Sequence, residues 1–172
     1  MSADAFIRSF FKKGSDIDKK TYQSLEAEQK EMIQGIVKLS DTTVKEVMVP
    51  RIDTIFVPKD IEEEELFSRI IKSGHSRFPV YEETIDNVIG ILYVKDLLES
   101  MVRNEPLDLK KLARKPFFVP ESKHIDELLR ELRRRKVHIA VVVDEYGGVS
   151  GIVCMENILE EIIGDIQDEF DN

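Results

Sequence analysis

The residue types that most often perform catalysis are scattered along this chain and do not form a reactive set. His75, His124 and His138 have neither the spacing of metal ligands nor the i, i+4 spacing that places two side chains on one helix face. The single cysteine, Cys154, ends an apolar segment, where packing is favoured over reactivity. The glycine-rich run 147–151 lacks the Lys-Ser/Thr of a phosphate loop and the spacing of a nucleophile elbow. We therefore predict a protein that is not an enzyme and has no metal site.

The sequence is better suited to binding a nucleotide. A nucleotide site needs an apolar slot for the base, acceptors for the ribose hydroxyls and donors for the phosphate. Ser76 and Arg77 place a hydroxyl beside a guanidinium, and both groups donate hydrogen bonds to phosphate. The residues that follow, Phe78, Pro79 and Val80, are apolar and would form a wall for the base. We therefore expect a phosphate-binding end and a base-binding end in this segment.

The elements that must position such a site are clearest in the segment 119–159. Pro120 and Ser122 open a stretch with apolar residues at helical spacing, which predicts an amphipathic helix. The run 137–143 is rich in β-branched residues, 144–148 is typical of a turn, and 149–154 is a second apolar run. The segment is thus predicted to form a helix, a strand, a turn, a strand and the start of a helix.

The same pattern occurs earlier in the chain. A shift of about 61 residues places 78–80 on 139–141 and Asp96 on Asn157. The pattern predicts an α+β fold made of two β-α-β-β-α repeats. Because one repeat would leave a face of a three-stranded sheet exposed, we expect the two to pack sheet to sheet about a pseudo-two-fold axis. That packing would create two related clefts.

Four segments follow from this organisation. They are an N-terminal extension with a helix (1–43), a first repeat (44–103), a second repeat (104–163) and an acidic tail (164–172). The extension includes a helix predicted over 24–39. Its first 13 residues are rich in Phe and basic side chains; we interpret them as a frayed terminus, with a contact to a membrane or a partner as the alternative.

The composition excludes several classes of protein. The chain has 25 Lys and Arg against 34 Asp and Glu, a formal charge of -9, which argues against a general nucleic-acid binder. One cysteine and no recognisable signal peptide favour a reducing cytoplasm. The longest apolar run is about seven residues, whereas about 20 are needed to cross a bilayer. We expect no membrane span in this chain.

Four sequence segments together resemble the tandem CBS-domain pair, or Bateman module, of the CorC/HlyC group and the related cyclin M metal transporters. The segments are VKEVMVPR at 44–51, GHSRFPVY at 74–81, GILYVKDLL at 90–98 and HIAVVVDEYGGVSGIV at 138–153. The resemblance implies that helices precede the first CBS repeat. It also implies that the acidic tail is the start of a linker, since relatives of this group carry a further small domain there.

The resemblance implies site residues in the first repeat. Asp96 lies where CBS domains accept the ribose hydroxyls, and Tyr93 lies where a Thr or Ser is usual. Pro50 and Arg51, in the segment that begins this repeat, would reach across to the cleft of the other repeat. Arg77 would hold the phosphate.

The equivalent residues of the second repeat depart from the group's pattern. His138 is expected to correspond to Arg77, with Ile139 and Ala140 as the apolar wall. Where the CorC group commonly reads T-I-E-D, this chain reads C-M-E-N from Cys154 to Asn157. An amide oxygen is a weaker acceptor than a carboxylate, by about 1 kcal/mol. Our hypothesis is that the Asp96 cleft is at least as favourable for an adenine nucleotide as the Asn157 cleft.

The function implied by the resemblance is regulatory. We expect a cytoplasmic module, free or peripheral to the inner face of the membrane, that binds AMP or ATP, with or without magnesium, and is coupled to magnesium and cobalt efflux. A homodimer formed through the CBS repeats and a membrane transport component are the expected partners. Two alternatives stay open. One is a dimerisation scaffold with degenerate clefts, which the departures at Cys154 and Asn157 support, and the other is a haemolysin-like membrane-associated protein.

Overall fold

A computed structural model describes residues 25–164 of the chain. The Phe-rich segment 1–13 and the acidic tail from residue 165 lie outside the described residues. In the described part the first half contains four helices and four strands: α1 (Ala27–Lys38), α2 (Val44–Val47), β1 (Val49–Pro50), β2 (Val57–Pro58), α3 (Glu63–Ser73), β3 (Arg77–Tyr81), β4 (Val88–Tyr93) and α4 (Val94–Val102).

The second half repeats this order after a short helix. Its elements in the described part are α5 (Leu109–Leu112), β5 (Phe118–Pro120), α6 (Ile125–Arg135), β6 (Ile139–Val143), β7 (Val149–Cys154) and α7 (Met155–Ile163). The predicted pair of β-α-β-β-α repeats is therefore confirmed.

The first repeat begins with a very short strand. Residues 54–57 include β-branched and aromatic side chains that favour a strand, but the strand is β2, Val57–Pro58. The Thr54 N–H donates to the Pro50 carbonyl at 3.0 Å, and the Thr54 hydroxyl donates to the same oxygen at 2.9 Å. These bonds hold the preceding residues in a turn, because a Thr hydroxyl competes effectively for nearby backbone carbonyls.

The two sheets differ in size because one strand changes sides. The first sheet has the order β2-β3-β4 and the second has the order β1-β7-β6-β5. β1 pairs antiparallel with β7, with Val49 opposite Ile152 and Pro50 opposite Gly151. A Cβ at Gly151 would overlap the Val49 carbonyl oxygen, so a glycine is required where the two backbones meet.

Three hydrophobic clusters explain how the repeats assemble. One lies between the first sheet and helices α3 and α4, and a second lies between the second sheet and helices α2, α6 and α7. The third joins residues of both repeats, including Phe56, Ile91, Ile139 and Val141. The expected sheet-to-sheet packing is therefore confirmed, and the clefts lie at the margins of this shared cluster.

Strand pairing corrects the sequence alignment of the two repeats by one residue. Arg77 is opposite Tyr93, and Ile139 is opposite Cys154. Ile139 is therefore the structural equivalent of Arg77, and the prediction that His138 corresponds to Arg77 is wrong. The cause is the turn between the paired strands: 144–148 is one residue shorter than 82–87, so a constant shift misplaces the strand before it.

Candidate functional site

A cleft of about 370 Å³ opens between the two repeats beside the start of α7. It takes Ser76, Arg77 and Pro79 from the first repeat. The second repeat contributes the ends of β7 and the first turn of α7, and the segment around β1 closes one side. The further lining residues are Val49, Asp53, Thr54, Ile55, Gly74, His75, Ile152, Cys154, Glu156 and Asn157. A molecule in this cleft would touch both repeats.

The alternation of side chains along β3 decides which residues reach the cleft. Successive residues of a strand point to opposite faces of its sheet. Arg77 and Pro79 line the cleft, whereas Phe78 and Val80 are fully buried in the cluster under α3 and α4. The predicted wall of three consecutive residues therefore reduces to Pro79.

The guanidinium of Arg77 is the most distinctive group in the cleft. Its Nη1 donates to the Glu156 carboxylate at 3.3 Å, and its Cζ lies 5.6 Å from the centre of the Tyr93 ring. Its Nε is buried and has no hydrogen-bond partner. A buried donor without an acceptor costs free energy, so binding of an anion that accepts a hydrogen bond from this Nε would be favourable.

The second repeat supplies a helix start to the same cleft. The Cys154 N–H donates to the Asn157 Oδ1 at 2.9 Å, which caps α7 and fixes the amide. Burial, assisted by the Glu156 carboxylate, raises the pKa of the Cys154 thiol to about 11. The thiol is therefore neutral at physiological pH, and the nearby helix N-terminus adds a partial positive charge to the cleft.

The equivalent position in the first repeat is occupied by an arginine of the chain itself. Arg114 Nε donates to the Asp96 Oδ2 at 2.7 Å, and Nη2 donates to Oδ1 at 2.8 Å. The Arg114 Cζ lies 4.5 Å from the centre of the Tyr93 ring. This ion pair, the largest cause, raises the pKa of Arg114. The carboxylate expected to accept ribose hydroxyls is thus already bound in a two-bond fork.

Backbone pairing shows why the two clefts differ. Ile91 of β4 pairs with Arg114 just as Ile152 of β7 pairs with Val49. Arg114 and Val49 therefore hold equivalent places. A valine leaves the Asn157 cleft open, whereas an arginine at the same place reaches the Asp96 carboxylate.

The other predicted site residues lie apart from the open cleft. Arg51 Nη1 donates to the Asp86 Oδ1 at 2.6 Å and to the Val149 carbonyl at 3.2 Å, so this side chain is engaged in joining the repeats. Pro50 is exposed within β1 and His138 is exposed before β6. Two predicted wall residues, Ile139 and Ala140, are buried in separate clusters.

Sequence reasoning found part of the cleft and missed part of it. Of the predicted residues, the open cleft contains Ser76, Arg77, Pro79, Cys154 and Asn157. Glu156 was missed, although its position beside Asn157 was visible. Arg114 was missed because the segments before β2 and β5 differ in length, so that no single shift aligns Val49 with it.

Comparison with known families identifies the fold. The profile of the family described as CBS domain matches residues 44–103 and 109–164, more than half of the chain. Hemolysin C of Brachyspira hyodysenteriae is 45% identical over 163 residues, which are 93% of this chain and 60% of that protein. The magnesium and cobalt efflux protein CorC of Pasteurella multocida is 43% identical over 155 residues, 90% of this chain and 52% of that protein. The chain thus spans about half to three fifths of the length of these relatives.

Solved structures agree with these relatives. The CBS domain of a bacterial CNNM/CorC family Mg²⁺ transporter, in complex with an inhibitor, matches with a TM-score of 0.82 at 34% identity and covers 96% of this chain and 100% of its own. A structure of the CBS domain of such a transporter with ATP matches at 0.73 and 39% identity, covering 80% of this chain and 99% of its own. A CBS-domain pair with bound AMP from Klebsiella pneumoniae matches at 0.61 and 29%, covering 72% and 99%.

The fold and its two clefts define a paired CBS module. The chain belongs to the CBS-domain family, as a tandem pair of the CorC/hemolysin C group. Among residues 25–164, no helix has both the length and the apolar character required to span a membrane.

Proposed function

We propose that the cleft between Arg77 and Asn157 binds an adenine nucleotide, AMP or ATP, and that binding regulates magnesium and cobalt efflux in the larger protein. The observation that carries this proposal is the Arg77 guanidinium, which lines the cleft with a buried Nε that has no partner. Similar CBS structures hold ATP or AMP, which supports this ligand class.

The two ends of the cleft suit the two ends of the ligand. Arg77 and Ser76 would bind the phosphate, because a guanidinium and a hydroxyl both donate to its oxygens. Glu156 would release Arg77 when phosphate arrives, since their single contact is 3.3 Å and the carboxylate is 61% exposed. Pro79 and Ile152 offer apolar surface for the base, and Asn157 lies where the ribose would be held.

Regulation would follow from the position of the ligand between the repeats. A ligand that contacts Arg77 of one repeat and Asn157 of the other stabilises the arrangement in which those residues are close. It can shift the equilibrium between arrangements only by its difference in affinity for them. The proposal includes magnesium: a Mg²⁺ ion bound with ATP would bring positive charge close to the Glu156 carboxylate.

A second copy of the chain is the partner we propose for the outer face of α4. Leu98, Met101 and Val102 are exposed there by 54%, 45% and 83%. On α7 the position that matches Met101 is Ile162, whose backbone lies against Gly35 of α1. We propose a homodimer at the cytoplasmic side of the membrane in which the partner covers α4.

Val102→Glu should convert a dimer into a monomer in light scattering after size exclusion, whereas an unchanged mass would exclude α4 from the interface.

Thermal unfolding with ligand tests the nucleotide proposal. AMP, ATP or ATP with magnesium at a hundredfold excess over the dissociation constant should stabilise the chain by about 2.7 kcal/mol. Arg77→Ala should weaken binding by about ten- to a hundredfold, the value of a hydrogen bond to a charged group. Arg130→Ala is the matched control, because Arg130 forms an exposed pair with Asp126 on α6. Absence of any shift with all three ligands would contradict the proposal and favour the dimerisation scaffold.

Flotation with liposomes separates the haemolysin-like alternative. The chain and a version lacking residues 1–13 should both remain unbound if the module acts as a nucleotide sensor. Binding that depends on those residues would instead support direct membrane association.

A further inference from the structure

We propose that the first repeat contains a second, masked site for a nucleoside, and that Arg114 is the residue that masks it. This inference rests on the proposed function for its ligand class, but its mask is a feature of the described residues alone. The ligand it would take is a nucleoside with free 2′ and 3′ hydroxyls, bound through Asp96.

The mask occupies the acceptor that the ribose would need. Both carboxylate oxygens of Asp96 accept from Arg114, at 2.7 and 2.8 Å, and the carboxylate is only 20% exposed. A nucleoside would have to replace an ion pair, in which donor and acceptor are both charged, with two bonds from neutral hydroxyls, and it would leave the Arg114 guanidinium without its carboxylate. The exchange is unfavourable, so the first cleft is closed to ribose while Arg114 is in place.

Tyr93 holds the mask in position. The guanidinium of Arg114 lies over the Tyr93 ring at 4.5 Å, while that of Arg77 lies 5.6 Å from the same ring. A cation over an aromatic face is stabilised in addition to its hydrogen bonds. One ring therefore contacts the phosphate-binding candidate of the open cleft and the mask of the closed cleft.

The symmetry of the fold indicates what removal of the mask would expose. Val49, the equivalent of Arg114, borders the open cleft, and Asn157, the equivalent of Asp96, lies in it. The exposed cleft would lack an equivalent of Arg77, because Ile139 takes that place. A nucleoside should therefore bind there about as well as its monophosphate, in contrast to the open cleft, where phosphate is needed.

Arg114→Val tests the mask because it copies the open cleft. In an Arg77→Ala background, which disables the proposed site, we expect adenosine binding by calorimetry to be at least tenfold tighter with Arg114→Val than without it. 2′,3′-Dideoxyadenosine should not show this gain, and adding Asp96→Ala, which removes the acceptor, should abolish it. Arg114→Lys, which keeps the charge but loses the fork, should give an intermediate gain.

Controls separate the possible failures. The backbone bonds between Arg114 and Ile91 do not involve the side chain, so circular dichroism should show that the variants remain folded even though loss of the ion pair lowers their unfolding temperature. A folded Arg114→Val variant, or Arg114→Lys if the first does not fold, that gains no adenosine binding overturns the mask. If the wild-type chain binds no nucleotide but Arg114→Val gains adenosine, the proposed function fails and the mask stands.

Discussion

The two clefts of this chain share one backbone plan but present opposite chemistry. At one, Arg77 has a buried Nε without a partner and faces an open space; at the other, Arg114 is bound by both oxygens of Asp96. The difference comes from equivalent positions: Arg77 against Ile139, Val49 against Arg114 and Asn157 against Asp96. A duplicated fold can therefore hold one available site and one internally satisfied site through different side chains at equivalent backbone positions.

This comparison also shows that the residue most typical of a ligand site is not the best indicator of an open one. Asp96 matches the expected ribose acceptor, yet its charge is already used within the protein. Asn157 is a weaker acceptor but lies in a cleft where a cation lacks a full set of partners. The two clefts therefore differ more in whether their polar groups are free to bind a ligand than in the types of residue that they contain.

The largest expected effect concerns two glycines that lie against the backbone of a neighbouring segment, Gly151 beside Val49 and Gly90 beside Ala113. Gly151→Ala would place a methyl group against the Val49 carbonyl oxygen, and we expect a loss of about 3 kcal/mol in unfolding free energy. Gly90→Ala would meet the Ala113 Cβ at 2.5 Å, which is a side chain. Urea unfolding should therefore show that Ala113→Gly restores part of the stability lost in Gly90→Ala, the remaining close contact being the Arg114 carbonyl oxygen at 3.2 Å. Equal losses with no such rescue would show that the crossings are not built as described.

A smaller effect is expected at the acceptor of the open cleft. Asn157→Asp keeps the oxygen that accepts from the Cys154 N–H and adds charge, so binding of ATP should tighten by about 1 kcal/mol, or roughly fivefold. Calorimetry measures this change directly. The matched substitution in the other repeat, Asp96→Asn, should leave ATP binding unaltered. A large loss on Asp96→Asn would contradict the assignment of the ligand to the Asn157 cleft.

The smallest effect is a pH dependence at the join between the repeats. Bonds from Arg51, the largest cause, and from the Val149 N–H hold the pKa of the Asp86 carboxyl below its usual value. A lowered pKa means that Asp86 stabilises the fold above about pH 4 and that this contribution is lost as the pH falls through the folded-state pKa. Asp86→Asn should therefore lower the midpoint of thermal unfolding near neutral pH and flatten its decline below about pH 4. If the unfolding midpoints of both proteins fall equally as the pH is lowered, the Arg51–Asp86 pair contributes no pH-dependent stability.

Much of the fold was predictable because the signals were local. Helical spacing of apolar residues, β-branched runs and turn residues indicated the repeats, and the need to cover a sheet face predicted their packing. The clefts were less predictable because they depend on a one-residue difference in a turn and on which face of β3 each side chain occupies. Phe78 and Pro79 are both apolar, and only the strand register places the first in the core and the second at the cleft.

Arg114 shows a different limit. Its partner Asp96 is distant in sequence, and the pair forms only because Arg114 crosses β4 beside Ile91. Such a pairing carries no spacing signal, since neither residue belongs to a motif with the other. The residue type of Asp96 indicated a hydrogen-bond acceptor, but its pairing with Arg114 could not be predicted.

A crystal structure of the chain with ATP tests the central claim most directly. We expect the phosphates of ATP at Arg77, the ribose at Asn157, and Arg114 unmoved on Asp96. ATP bound at Asp96 with Arg114 displaced, while the Arg77 cleft is empty, would contradict the account.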